Sequence, residues 1–311
     1  MRRDGRVSLL FSDPTASGFS DPVQIFAQGD AVCPDEPTTS PAGLEEFWSM
    51  LFFRQPSSRA YTLPVVRSLT GWYYTRLLIT VTPRSVTERP AGSVALPAAR
   101  LRRARPSSRS WRRAVEAGLT GARELSGYPS CVFAARDVDG GIALARTAAQ
   151  PADRGYAVAA APGADLAEGP ASVLVHRHDE KLAGLRFAVI RGRITRATAG
   201  DWLLVPDRVI SPAGAPLQTL RDCRASAARY LAAREFARPA VPWQQYRALA
   251  RRPADRTRGL PQRPPCRLGR GAQWRFTVTA AATRTGRRSR PHAIPNRWSA
   301  SVTGPRTPGC R

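Results

Sequence analysis

The sequence predicts a mainly β protein with additional helices, an α+β fold built from two related modules. Three observations support this prediction. Short runs rich in β-branched and aromatic residues recur along the 311-residue chain, with polar connectors between them. Two of these runs, Pro129–Ala135 and Ile142–Ala148, enclose a turn with an Asp-Gly pair, which indicates a β-hairpin. The order of strand, connector and strand also occurs twice.

The first module begins with two predicted strands. The apolar run Arg6–Phe11 predicts the first strand, and Val23–Val32 predicts the second after a turn-rich connector. Gly29 lies inside the second strand, where a glycine often marks a bulge or a close approach of another backbone.

Helices are predicted next. Ser40 and Pro41 fit the N-cap and first position of a helix. An apolar stripe at helical spacing follows, made of Leu44, Phe47, Trp48 and Leu51. A second short helix is predicted from about Val65 to Tyr74, and a strand from Thr75 to Thr82 that closes before Pro83.

The second module repeats this pattern. Strands are predicted at Ala171–Val175, Arg186–Ile194 and Trp202–Val209, a helix at Leu217–Arg234, and a last short helix after Pro242. Gly192 corresponds to Gly29, because each stands near the end of the second strand of its unit. Only the second unit has a hairpin ahead of it, so we expect the first module to be incomplete at its amino end.

These patterns divide the chain into four segments. Residues 1–90 are the first module, residues 91–122 an Arg-, Pro- and Ala-rich linker, and residues 123–250 the second module with its helices. Residues 251–311 lack sustained periodicity and are rich in arginine and proline, which predicts a disordered tail.

The net charge of +25 is concentrated outside the modules. Residues 251–311 carry 15 arginines and one acid, and residues 83–113 carry nine arginines and one acid, which leaves +3 for the rest. Lys181 is the one lysine among 48 basic residues. This near-exclusive use of arginine is more typical of a GC-rich coding sequence than of a nucleic-acid-binding face.

The cysteines and the hydropathy pattern limit where the protein is expected to be located and which kinds of site it can contain. The five cysteines are scattered, with no CxxC pair, which favours reduced structural thiols. The apolar run that follows the charged first residues is too short for a signal peptide, so a cytoplasmic location is expected. No apolar run reaches 18 residues, so no membrane span is predicted. Glycine patterns typical of Walker or Rossmann loops and a nucleophile elbow are also missing.

The ordered series of pieces resembles a known family. Segments of both modules are similar to proteins of the pyridoxamine 5′-phosphate oxidase family. In the first module these segments are RRDGRVSLLFSDPTASG, PVQIFAQGDAV and WYYTRLLITVTPRSV, and in the second module the segment is GPASVLVHRHDEKLAGLRFAVIRGRI. The resemblance covers about residues 1–87 and 125–250. It implies an FMN-binding split β-barrel, either a homodimer or an internal pseudo-dimer of the two modules. The family's opening hairpin and phosphate-binding segment would precede Met1.

The same resemblance implies the cofactor-binding residues. Gln24 and Gln28 lie four apart, on one face of the strand that would face the flavin, although a polar strand face also explains them. Arg2 or Arg3 would approach the cofactor phosphate. Arg186, or Arg177, would contact an anion near the second module's groove. No catalytic residue is assigned.

His176 and His178 raise the question of a metal site. Positions two apart on a strand point the same way, and histidine with carboxylate binds zinc or iron. Such a site needs a third ligand, and the remaining histidine, His292, lies in the tail. The sequence therefore predicts a polar turn here and no metal site.

Three functions remain open from the sequence. The first is an oxidoreductase dependent on FMN or a deazaflavin, which transfers hydride to or from a small molecule. The second is a non-catalytic flavin- or haem-binding protein on the same fold. The third is nucleic-acid binding through the arginine-rich linker and tail. The small number of aromatic residues interleaved with these arginines argues against it.

Overall fold

The computed structural model of the chain describes residues 4–15, 23–90, 94, 108–181, 185–197, 201–211, 216–252, 275–281 and 297–303. The strands in these ranges are β1 (Arg6–Phe11), β2 (Gln24–Val32), β3 (Leu77–Arg89), β4 (Cys131–Asp137), β5 (Ile142–Thr147), β6 (Gln150–Ala152), β7 (Gly155–Val158), β8 (Leu166–Arg177), β9 (Arg186–Arg196), β10 (Trp202–Ile210), β11 (Arg275–Ala281) and β12 (Arg297–Thr303). The helices are α1 (Glu45–Arg54), α2 (Arg67–Tyr74), α3 (Ser108–Glu116), α4 (Ala122–Ser126), α5 (Pro216–Ala232) and α6 (Trp243–Arg251). Two 3-10 helices, Pro56–Thr62 and Pro64–Val66, precede α2.

The strands form two antiparallel sheets. The first has the order β1-β2-β3-β11-β12, and the second has the order β5-β4-β8-β9-β10-β7-β6. The architecture is therefore mixed α+β, as the sequence predicts, with a sheet that curls as a half-barrel. No helix in the described ranges is long and apolar enough to cross a bilayer.

A glycine opposite a proline occurs at matching positions in the two sheets. Gly29 of β2 pairs with Pro83 of β3, beside a register shift between Gln28 and Gly29. Gly192 of β9 pairs with Pro206 of β10, and the register shifts just after that proline. A Cβ atom on Gly29 would lie 2.2 Å from the Thr82 carbonyl oxygen, and one on Gly192 would lie 2.0 Å from that of Val205. Both glycines therefore permit a backbone approach that any side chain would block, as predicted for Gly29.

The bulge also explains why β3 is longer than predicted. We expect the strand to close before Pro83, but it continues to Arg89. Proline lacks an N–H for the ladder, and an irregular register opposite it removes the need for one.

Three buried clusters hold the fold together. The largest lies on the second sheet and includes Phe133, Tyr156, Ile190 and Leu204. A smaller one lies on the first sheet around Ala27, Ala31, Ile79 and Val81. The third is formed by the helices, with Trp48 and Phe52 of α1, Tyr74 of α2, and Tyr246 and Leu249 of α6.

The helical cluster crosses the predicted module boundary. Helix α6, assigned from sequence to the second module, packs its Tyr246 ring 4.9 Å from that of Trp48 in α1. The Tyr246 hydroxyl donates to the Thr39 carbonyl at 2.8 Å, and Thr39 Oγ1 donates to the Ala240 carbonyl at 2.6 Å. The end of the second module is thus part of the core of the first.

Other elements differ locally from the sequence predictions. Helix α1 is capped by Leu44 without a side-chain bond, because Ser40 instead accepts the Ala42 N–H in the preceding turn. Residues 108–122 of the predicted linker contain α3 and the start of α4, and Trp111 stacks on Tyr156 with ring centroids 6.0 Å apart. The rest of the linker, apart from residue 94, lies outside the described residues.

The predicted disordered tail contributes two strands to the first sheet. Strand β11 pairs with β3, and β12 pairs with β11. Other tail residues beyond 252 lie outside the described residues. Short strands β6 and β7, which the sequence analysis does not predict, extend the second sheet beyond β10.

We predict that Gly29→Ala and Gly192→Ala each lower the free energy of unfolding by roughly 2–3 kcal/mol, because the new methyl group would overlap a neighbouring strand's backbone. Urea denaturation followed by circular dichroism measures this. Gly127→Ala is the control, since a Cβ there meets nothing within 4 Å. Its effect should stay within about 1 kcal/mol. Equal effects of all three substitutions would contradict the close-approach explanation.

Candidate functional site

The two sheets meet where β5 lies against β1 and β2. Among the described strands, β5 is the edge of the second sheet and pairs only with β4, so one side of its backbone needs other hydrogen-bond donors. Side chains of the first sheet supply them. Ser8 Oγ donates to the Ile142 carbonyl at 2.6 Å, and Arg89 Nη1 donates to the Leu144 carbonyl at 3.1 Å. Gln28 Nε2 also reaches the Ile142 carbonyl, at 3.4 Å.

A cleft of about 380 Å³ opens beside this junction. It is bounded on one side by β1, β2 and β3, and on the other by the turn between β4 and β5. Its polar lining consists of Arg6, Arg84, Arg136, Asp4, Asp137, Asp139, Ser8, Ser85 and Gln28.

The charges that line the cleft balance, three arginines against three aspartates. Arg6 donates to Asp4 at 2.8 Å, and Arg84 Nε lies 3.1 Å from Asp30. Asp137 Oδ1 accepts the Gly141 N–H at 2.6 Å, which fixes the turn. Arg136 is exposed, and among the described residues its guanidinium group has no direct hydrogen bond or ion pair, although its charge contributes to the lowered pKa of Asp4. Its guanidinium group is therefore the lining cation most available to an incoming anion.

The predicted cofactor residues are only partly brought together. Gln28 lines the cleft. Gln24 is on the same strand face by alternation but is 2% exposed and does not line it. Arg186 pairs with Arg177 at the far end of the β8–β9 ladder, where both are exposed. Arg2 and Arg3 lie outside the described residues.

A second polar group forms at the other end of β1. Asp13 follows this strand, His176 is near the end of β8, and His178 lies just beyond it. Asp13 Oδ2 is 3.4 Å from His176 Nδ1 and 3.5 Å from His178 Nε2. The imidazole rings are nearly parallel, with centroids 6.0 Å apart, and all three side chains are mostly buried.

Neighbouring groups fix the orientation of these side chains. Asp13 Oδ1 accepts the backbone N–H of Thr15 at 3.0 Å, which leaves Oδ2 for the histidines. His178 Nδ1 lies 2.9 Å from the Asp179 carbonyl. A carbonyl only accepts, so this nitrogen carries the proton, and in the neutral ring Nε2 presents its lone pair.

The pKa values of Asp13 and His176 are both lowered, for different reasons. Burial opposes ionisation of Asp13, but hydrogen bonds from Thr15 and the nearby histidines give its pKa a net decrease. Burial lowers the pKa of His176, and Arg146 and His178 lower it further, against the opposing charge of Asp13. Arg146 also donates to Ser12 at 3.4 Å and to Ser130 at 2.7 Å, so it is anchored near the cluster.

Cys131 is a buried thiol with a structural rather than a chemical role. Burial raises the pKa of Cys131 to about 12, which keeps its thiol protonated and unreactive. Cys33 Sγ donates to the Pro34 carbonyl at 3.5 Å, and Cys223 is buried.

Sequence analysis missed Asp13 of the histidine cluster and Arg136 of the cleft for the same reason. Asp13 lies far from the two histidines along the chain, and Arg136 lies far from Arg6 and Arg84. Local spacing marks the two histidines but not Asp13 or Arg136, because the packing of β1 beside β5 is what brings these residues to their sites.

Comparisons with protein-family models, with curated proteins and with solved structures find no match to this chain.

We predict that Arg89→Met lowers the free energy of unfolding by about 1.5–3 kcal/mol, because the Leu144 carbonyl loses its charged donor. Arg84→Met on the same strand is the matched control. Its ion pair with Asp30 is exposed on both sides and should contribute less than about 1 kcal/mol. Urea denaturation compares the two variants, and an equal loss in both would contradict a role for Arg89 at the sheet junction.

Proposed function

We propose that the protein binds a phosphate-bearing flavin, FMN, in the cleft between its two sheets. The observation that carries this proposal is the cleft itself, which both halves of the chain line with guanidinium, hydroxyl and amide groups. Its volume of about 380 Å³ falls within the roughly 300–1,000 Å³ typical of small-molecule sites.

The chemistry of the lining suits a phosphate monoester at one end of a larger ligand. Arginine presents a planar fork of donors that matches phosphate oxygens, and Arg136 is available for this contact. Arg6 and Arg84 would have to exchange their aspartate partners for phosphate. Because the charges in the cleft balance, affinity depends on specific hydrogen bonds more than on a general positive potential.

Gln28 would contact the remainder of the ligand. Its side-chain amide is at the cleft wall, and its bond to the Ile142 carbonyl is long at 3.4 Å, so it is weakly held. An amide donor suits the polar edge of a flavin ring. A deazaflavin with a phosphate group offers the same contacts and is the alternative cofactor.

The recurrence of a Gly–Pro pair beside a bulge supports two related modules in a split-barrel arrangement. Strands β1-β2-β3 and β8-β9-β10 are consecutive antiparallel neighbours, and each set has this pair between its second and third strands. The proposed assembly is an internal pseudo-dimer whose cofactor lies at the junction of the modules.

The flavin would supply hydride transfer to or from a small molecule when bound. The protein's residues would bind and orient it. The lining arginines would hold the phosphate, and the β4–β5 turn would cover one side of the cleft.

We predict that Arg136→Gln weakens FMN binding by about ten- to a hundredfold, the equivalent of one charge-assisted hydrogen bond. Equilibrium dialysis with FMN and with riboflavin, which lacks the phosphate, measures the effect. Riboflavin binding should be weaker than FMN binding in the unmodified chain and unchanged by the substitution.

Arg154→Gln is the matched control, because Arg154 is exposed in the turn between β6 and β7 and does not line the cleft. Its FMN affinity should equal that of the unmodified chain. Equal affinity for FMN and riboflavin, or no binding of either, would refute the proposal. Repeating the titration with a phosphate-bearing deazaflavin distinguishes the two cofactors.

A further inference from the structure

We propose that Asp13, His176 and His178 form a binding site for one divalent transition-metal ion of the zinc type. This inference rests on a different set of residues from the cleft and does not depend on flavin binding. Two imidazoles and one carboxylate are a ligand set that zinc and ferrous iron use in proteins, with positions left open for water or substrate.

The distances fit ligands around a common ion better than direct hydrogen bonds. Asp13 Oδ2 lies 3.4 and 3.5 Å from the facing nitrogens of His176 and His178. Hydrogen bonds between nitrogen and oxygen are shorter, about 2.7–3.2 Å. Ligand atoms about 2.0–2.2 Å from a tetrahedral ion are roughly 3.3–3.6 Å apart. All three ligand atoms lie within 4.8 Å of one another.

The surrounding contacts prepare the ligands. The bond from His178 Nδ1 to the Asp179 carbonyl directs Nε2 to Asp13, which is the outer-sphere arrangement typical of metal-binding histidines. The Thr15 N–H holds the other oxygen of Asp13. Arg146 is the cation that faces the cluster, and its charge opposes metal binding, so affinity should be moderate.

Such a site would connect the two sheets. Asp13 follows a strand of the first sheet, whereas His176 is near the end of β8 in the second sheet and His178 lies just beyond that strand. Three protein ligands leave at least one position for water or a small anion. The ion would therefore stabilise the sheet junction and present an open coordination position.

The test is a zinc titration of the chelator-treated full chain, monitored by isothermal titration calorimetry. We expect one equivalent to bind, and we expect Asp13→Asn and His178→Asn to weaken binding at least tenfold, since even outer partners of ligands contribute roughly 10–100-fold. His178→Asn keeps a donor for the Asp179 carbonyl and removes Nε2. His292→Gln, which removes the third histidine of the sequence, is the control and should bind like the unmodified chain.

Two further measurements keep the test decisive if a variant folds poorly. Zinc should raise the melting temperature of the unmodified chain and not that of the variants. Cobalt should give a visible spectrum without a thiolate charge-transfer band. Unchanged zinc affinity in both ligand variants, no zinc binding by the unmodified chain, or a thiolate band would each overturn the proposal.

Discussion

The unpaired edge of β5 is the constraint on which the arrangement of the two sheets depends. Buried or covered backbone carbonyls need donors, and an edge strand has no strand partner on one side. Here the donors are the side chains of Ser8, Gln28 and Arg89 on the first sheet. Because these bonds fix β1 beside β5, the first end of β1 lines the cleft and its other end brings Asp13 to the histidines of β8. Both candidate sites are therefore consequences of one contact between sheets.

A second contact packs helix α6, late in the chain, against helices α1 and α2 of the first half. Tyr246 of α6 is fully buried between Trp48 and Tyr74, and its hydroxyl reaches the Thr39 carbonyl. Arg76 lies in the same cluster, with its guanidinium group 5.2 Å from the Trp48 ring centroid. Burial lowers the pKa of Arg76, and the aromatic faces offset part of the cost of its desolvation. The helices after β10 thus belong to the core beside β3, and the two halves cannot be treated as separate units.

The glycines opposite prolines show how backbone geometry controls strand pairing in the two sheets. Each proline withholds a donor from the ladder, and each glycine permits the neighbouring strand to approach where the register shifts. A bulge strengthens local twist, so we expect both sheets to be more strongly twisted beside their Gly–Pro pairs. This similarity is the structural basis for comparing the two halves.

The sequence by itself determined the elements whose signals are local. Strand β1, the β4–β5 hairpin, strands β8 to β10 and helix α6 follow from apolar runs and turn residues, and Gly29 marks its close approach without any structure. Three features depended on tertiary contacts, because partner strands and packing overrode local composition. They are the continuation of β3 through Pro83, the helices within the predicted linker, and the tail strands of the first sheet. The sites were also decided by the tertiary structure. The packing of β1 against β5 brings Asp13 to His176 and His178, and it brings Arg6 and Arg136 to the same cleft. The spacing of these residues along the chain does not predict that packing.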